Sequence, residues 1–214
     1  SALANLMKAA GMNVSCEYYI NDAGNQINNL AASVNARYLE QLGQTVEFPE
    51  NGYHGHDIIE TAERIVRIYG DRFLNMSEEE RLKEFRTIAL KEKLAALKED
   101  LEAFNVTYDE WFSEQTLHDA NAIKNACDLL TERGFLYEEG GALWLKATAY
   151  GDDKDRVVIR DNGIPTYFAA DIAYHQDKYA RGFDRVINLW GADHHGYIAR
   201  MKAAVGALGY HPDQ

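Results

Sequence analysis

Residues 164–204 read IPTYFAADIAYHQDKYARGFDRVINLWGADHHGYIARMKAA. The stretch sets a helix next to a strand-to-helix turn, with polar side chains at both. In the helix, Tyr167 and Asp171 are four apart, which puts them on one face with Cβ atoms about 5–6 Å from each other. An aromatic wall beside a carboxylate suits a flat cation such as a guanidinium, which a carboxylate grips with two parallel hydrogen bonds. The competing reading is a core tyrosine and a solvated helix carboxylate. Val186 to Trp190 is apolar without alternation, the pattern of a strand covered on both faces, and it stops at Gly191. Asp193, His194 and His195 then fall where a parallel strand turns into a helix, the carboxyl edge at which open α/β sheets bind ligands. The free N–H groups of that helix favour phosphate. Asp193 could equally be the N-cap of the last helix, with both histidines packed and hydrogen-bonded.

Upstream, residues 2–10 have helical periodicity closed by Gly11, and Val14 to Ile20 reads as a strand. Residues 21–26 make a turn into a helix that carries Ile27, Leu30, Val34, Tyr38 and Leu42 on one face and ends at Gly43, so the segment is a βα unit. Residues 44–56 form a loop. Asp57 to Tyr69 is amphipathic, and Ser77 with Glu80 makes a capping box for a long charged helix running to about Phe104. A further helix spans Asp119 to Arg133 and is closed by Gly134. Phe135 to Tyr137 and Ala142 to Thr148 flank Gly140-Gly141 as a hairpin, and Arg156 to Arg160 adds a third short strand. Three helices between two βα units point to an insertion between halves of a sheet.

At 214 residues and 46% hydrophobic, the chain can bury a substantial core. No apolar run approaches the ~18 residues that a membrane-spanning helix needs, and no export signal pattern opens the sequence, so no membrane role is expected. Cys16 and Cys127 are far apart and in no metal-ligand spacing, which fits a reducing cytoplasm. The net charge of −12 argues against this segment being the main nucleic-acid footprint, since phosphate backbones are held by clustered Lys and Arg.

PTYFAADIAYH followed by WGADHHGYIARMKAA resembles the catalytic domain of bacterial arginyl-tRNA synthetases, class I enzymes. YYINDAGNQINNLAASVNARYLE at 18–40, WFSEQTL at 111–117 and GALWLKATAYGDDKDRVVIRDNG at 141–163 match the same family in the same order. The HIGH-type tetrapeptide and the KMSKS-type loop are absent, so the chain reads as an internal piece of such an enzyme, expected not to be competent alone. The resemblance implies an α/β chain with a partial Rossmann-like (HUP-type) nucleotide-binding fold, a helical insertion and a small antiparallel hairpin region. It divides as 1–56, first part of the core; 57–134, connective insertion; and 135–214, hairpin and second part of the core. It implies arginine contacts from Tyr167, Asp171, Asp193 and His194, and nucleotide contacts from Gly191 and His195. Asp22, Gly24 and Gln26 resemble the family's GDWG-Q turn without its tryptophan, and are further candidates beside a plain capped βα loop. Implied partners are arginine, ATP with Mg²⁺ as its counter-ion, and tRNA held mostly by parts outside this sequence, with no tightly bound cofactor and no resident metal.

His54-Gly55-His56 reads as a surface loop, not a HIGH motif. Asp152, Asp153 and Asp155 read as a solvated turn. Two other functions compete. Asp193-His194-His195 matches the DHH signature of metal-dependent phosphoesterases, with Asp153 and Asp155 as further ligands. A module that binds arginine or a partner protein without chemistry is the third reading.

Overall fold

The computed structural model describes residues 2–213, which divide into two compact units, Ser1–Gln115 and Thr116–Gln214. The first unit contains α1 (Ala2–Ala9), β1 (Glu17–Ile20), α2 (Asn25–Gln41), α3 (His56–Tyr69), a 3₁₀ turn at Arg72–Asn75, α4 (Glu78–Ala103) and β2 (Glu110–Ser113). The stripe on α2 does what its spacing predicts: Val34 and Tyr38 enter a core with Ile58, Ala62 and Ile65 of α3, Phe73, and Phe85 and Ala89 of α4. Phe85 meets Tyr38 and Phe73 edge-to-face at 5.0 and 5.1 Å between ring centroids, the arrangement aromatic quadrupoles favour. Two polar groups are satisfied inside this core. Tyr38 donates its hydroxyl to the Gly70 carbonyl at 2.9 Å, and buried Arg81 donates to Asn35 Oδ1 at 2.5 Å.

The capping box forms as expected. The Glu80 N–H donates to Ser77 Oγ at 3.3 Å, and the Ser77 N–H donates to the Glu80 carboxylate at 3.0 Å. β1 pairs in parallel with β2, Glu17 opposite Glu110 and Ile20 opposite Ser113. β2 has only four residues, EWFS, too short for periodicity to reveal it.

α5 (Glu114–Asp119) lies at the boundary, and the second unit continues with α6 (Ala122–Glu132), β3 (Leu136–Glu139), β4 (Ala142–Leu145), β5 (Arg156–Ile159) and α7 (Tyr167–Ala180). A 3₁₀ turn at Ala192–Tyr197 then leads into α8 (Ile198–Ala207). The single helix expected from Asp119 to Arg133 is broken, because Asn121 adopts a left-handed φ of 52°, a conformation Asn tolerates but a helix interior does not. α6 closes at Gly134 (φ 78°), where the Phe135 N–H returns to the Leu130 carbonyl at 2.9 Å. The hairpin and third strand form an antiparallel sheet in the order β3-β4-β5. α7 buries Phe168, Ile172 and a row of alanines.

Two sequence readings are corrected. Val186 to Trp190 is not a strand covered on both faces. It runs between α7 and the 3₁₀ turn in neither sheet, with Ile187 47% and Leu189 78% exposed. An apolar run becomes a strand only when a neighbour supplies the ladder, and no strand among the described residues pairs with this one. The aspartates 152–155 form a solvated turn only in part, since Asp153 is exposed but its neighbours are engaged. Asp152 is buried and accepts two bonds from Arg156, at 2.7 and 2.8 Å. That pair holds its carboxyl down to about 2. Asp155 accepts from Thr148 and from the Tyr137 hydroxyl.

Both cysteines are free thiols, and burial pushes Cys127 up to about 11. No helix among the described residues is long and apolar enough to cross a membrane.

Phe85 is fully buried at the junction of three helices. Phe85→Ala should lower the unfolding free energy of the first unit by about 3–5 kcal/mol through lost transfer energy and a residual cavity. Urea unfolding followed by Trp111 fluorescence checks this, and a loss under about 1 kcal/mol would mean that the site collapses or is not core.

Candidate functional site

α7 places Tyr167 and Asp171 one turn apart in contrasting surroundings. Tyr167 is 62% exposed. Asp171 is largely withdrawn from solvent, and the Tyr197 hydroxyl at the end of the 3₁₀ turn donates to its Oδ2 at 2.5 Å. Burial raises the Asp171 carboxyl above the usual carboxylate range; the Tyr197 bond, Lys178 and His194 each pull it back. Burial and the same carboxylate push the Tyr197 hydroxyl up. Among the described residues no Lys or Arg makes an ion pair with Asp171. Charges withdrawn from water normally are paired, so this carboxylate retains an electrostatic demand for a cation.

A second network fixes the backbone beneath it. His175, one turn after Asp171, is 4% exposed. Its Nδ1 lies 2.8 Å from the Asp171 carbonyl and its Nε2 lies 2.8 Å from the Asn188 amide nitrogen. A carbonyl only accepts and an amide NH₂ only donates, so this geometry requires the neutral ring with the proton on Nδ1. Lys178 donates to Asn188 Oδ1 at 3.3 Å and completes the chain. Burial, then the nearby Lys178 charge, lowers the histidine to about 4.

Asp193, His194 and His195 are all exposed on the 3₁₀ turn. Asp193 makes no side-chain cap to it, and instead its Oδ1 lies 3.2 Å from His194 Nδ1. Gly191, His194 and His195 line an open cleft of about 720 Å³ together with His175, Asn188 and Trp190. Asp193 and Asp171 do not line it, and Tyr167 faces a different depression. Asp22 and Gly24 belong to the first unit. The Asp22 carboxylate is taken up by Ser113 Oγ at 2.6 Å and the Gln115 N–H at 3.0 Å, so it ties the end of β1 to the end of β2. Gly24 starts α2 with φ 81° and ψ −157°, a backbone open essentially to glycine alone. Gln26 is exposed and lies near Asn21.

The family described as tRNA synthetases class I (R), catalytic domain, matches residues 1–214. The chain belongs to that family. Arginine–tRNA ligases of Carboxydothermus hydrogenoformans and Moorella thermoacetica are 58% and 56% identical to it, over 99% of this chain and 38% of theirs. The chain thus spans about two fifths of the length of these curated relatives. A crystal structure from Campylobacter jejuni, described as an arginyl-tRNA synthetase, matches with a TM-score of 0.89 at 40% identity, over 99% of this chain and 46% of its own. The Thermus thermophilus arginyl-tRNA synthetase, 22% identical with a TM-score of 0.63 over 98% of this chain and 41% of its own, shares the fold.

The chain therefore has the α/β class I catalytic fold that the resemblance implied. The DHH reading finds no metal position, because no three His, Cys, Asp or Glu side chains among the described residues converge on one. Asp153 and Asp155 are engaged with Arg156, and with Thr148 and Tyr137. Sequence reasoning passed over Tyr197, His175 and Asn188. His175 carried a signal, being four residues after Asp171 on the same helical face. Tyr197 and Asn188 carried none, since their bonds depend on how the chain returns to α7.

His175 gives a signed pH dependence. The folded value of about 4 lies below the ~6.5 of an unfolded histidine, so between these values the unfolded chain binds a proton that the folded chain does not. Stability is therefore lost as pH falls through 6.5. Between pH 7 and 5 the loss is about 2 kcal/mol, and His175→Gln should remove that increment. Urea unfolding of the second unit at both pH values checks it, and equal pH losses in the two proteins would refute the buried neutral histidine.

Proposed function

We propose that this chain provides the arginine-selecting part of an arginine–tRNA ligase. The arginine carboxylate attacks the α-phosphorus of ATP, giving arginyl-adenylate and pyrophosphate, and the arginyl group then passes to the terminal ribose of tRNA with release of AMP. Mg²⁺ accompanies ATP as its counter-ion, and the setting is a reducing cytoplasm. Such chemistry depends on positioning and on neutralising phosphate charge more than on a side-chain nucleophile. Residues 1–56 and 135–214 serve as core and 57–134 as a connective insertion. Most tRNA contacts lie outside a segment whose net charge is −12.

The observation that carries this reading is the largely withdrawn carboxylate of Asp171, oriented by Tyr197, without an ion-paired Lys or Arg among the described residues, and preceded one turn earlier by an exposed tyrosine ring. A guanidinium is the flat, permanently charged group that such a pair suits. Asp193 and His194 contribute to the arginine side, and Gly191 and His195 to the nucleotide. Asp22, Gly24 and Gln26 are supporting candidates. Because an incoming cation favours the ionised form of Asp171, arginine affinity should also weaken as pH is lowered into the range where this raised carboxyl takes up a proton.

In the complete enzyme, Asp171→Asn keeps the shape but removes the charge and one acceptor. Breaking a desolvated pair in this way costs about 3–5 kcal/mol, so arginine binding should weaken by roughly two to three orders of magnitude or more while ATP binding changes little. Tyr167→Phe removes one hydrogen bond and leaves the ring, costing about 1 kcal/mol. The arginine dependence of ATP–pyrophosphate exchange in the two variants decides. If Asp171→Asn stays within about threefold of the parent enzyme, under roughly 0.7 kcal/mol, Asp171 is not the selecting group.

A further inference from the structure

The depression beside the first turn of α7 has a volume of about 340 Å³, and three arginines, Arg156, Arg160 and Arg200, line it with Thr166, Tyr167 and Phe168. These guanidiniums are not equivalent. Arg156 is locked between Asp152 and Asp153, so it forms a neutralised wall. Arg160 is exposed and makes one long bond, 3.4 Å, to the Pro165 carbonyl. Arg200 lies 4.9 Å over the Tyr197 ring and 5.8 Å over Phe168, which holds its plane, yet its Nε is shut off from solvent without a hydrogen-bond acceptor.

The backbone adds donors at the same place. Thr166 is the N-cap of the fourteen-residue α7, but its hydroxyl is 3.1 Å from the carbonyls of both Val157 and Val158 and does not cap the helix. The Ala169 N–H turns back to the Thr166 carbonyl at 3.0 Å, which leaves the Tyr167 and Phe168 N–H groups at the start of α7 without a side-chain cap. Two guanidiniums with donors to spare and a helix start converge on one depression, and each of the three is a recurrent binder of phosphate oxygens. The nearby carboxylates of Asp152 and Asp153 are already paired with Arg156.

We propose that this depression is a subsite for a phosphate group, held by Arg160 and Arg200 with the first N–H groups of α7. The subsite goes beyond the arginine reading and does not rest on the charge of Asp171. The phosphate comes either from an RNA backbone or from the phosphate chain of a nucleotide.

The isotopically labelled 214-residue chain, titrated at low ionic strength with inorganic phosphate, pyrophosphate and a single-stranded RNA trinucleotide, separates these sources. Saturable amide shifts at Tyr167 and Phe168 are expected. Arg160→Gln and Arg200→Gln should each weaken binding fivefold or more, while Lys124→Gln, on α6 and outside the depression, leaves it unchanged. Saturation by the trinucleotide at lower concentration than by pyrophosphate upholds the subsite and assigns it to RNA, and the reverse order upholds it for a nucleotide. Absence of saturable shifts with all three probes, or equal weakening by Lys124→Gln, overturns the proposal. Arg160 is on the surface, so its variant keeps the test decisive even if Arg200→Gln disturbs packing. Failure here leaves the Asp171 reading standing, because that is read from arginine dependence in the complete enzyme.

Discussion

Asp171 carries a carboxylate that α7 takes out of water, and the hydroxyl of Tyr197 is what orients it. Withdrawal raises the cost of its charge, and a single hydrogen bond offsets only part of that cost. Much of the second unit's local geometry follows from the need to hold that hydroxyl still. The Tyr197 ring is met by Phe168 at 6.1 Å, by Trp190 at 5.6 Å and by the Arg200 guanidinium at 4.9 Å. Moving the tyrosine would disturb α7, the run before the 3₁₀ turn and α8 together. The 3₁₀ turn that carries Asp193, His194 and His195 is thereby tied to the helix that carries Tyr167.

The segment from Val186 to Trp190 shows how side chains substitute for a missing ladder. It is largely apolar, yet no strand among the described residues pairs with it. What positions it is Asn188, whose amide spans His175 and Lys178 of α7. The bridge requires a neutral histidine, and burial supplies one by holding its pKa near 4. The Asp171 carbonyl receives the Nδ1 proton of the same ring, so the backbone under the carboxylate and the run leading to Gly191 share one hydrogen-bonded chain. A change at Asn188 would reach Asp171 without touching it.

Local chemistry was legible in the sequence where a few adjacent residues decide it. The Ser77–Glu80 box, the Gly140-Gly141 hairpin and the apolar stripe from Ile27 to Leu42 each depend on spacing within one element. Two failures have the same cause. Val186 to Trp190 has strand composition, but strandedness belongs to a pair of segments and not to one. β2 is a real strand whose four residues are too few for a pattern, and its partner lies some ninety residues earlier. Of the site, the polar residues themselves were legible. Their surroundings were not: Asp22 is occupied by Ser113 and Gln115 from the far end of the first unit, and Asp152 and Asp155 are engaged by arginine, threonine and tyrosine side chains.

Charge distribution gives the last step. With 34 acidic against 22 basic side chains, the average surface of this chain repels anions. Against that background, Arg160 and Arg200, beside an Arg156 already neutralised by two aspartates, make the lining of one small depression at a helix start a local reversal of sign, and the field inside a recess is set by its lining more than by distant screened charges. One turn further along α7 the sign reverses again, at a carboxylate with no ion-paired cation. A helix that presents anion donors at its first turn and a buried acceptor at its second offers opposite charges about one helical pitch apart, roughly 5 Å. A ligand that satisfies both ends must itself carry both signs or bring two groups together. That requirement is a stronger filter than either charge alone, since a ligand of one sign leaves the other end unmatched.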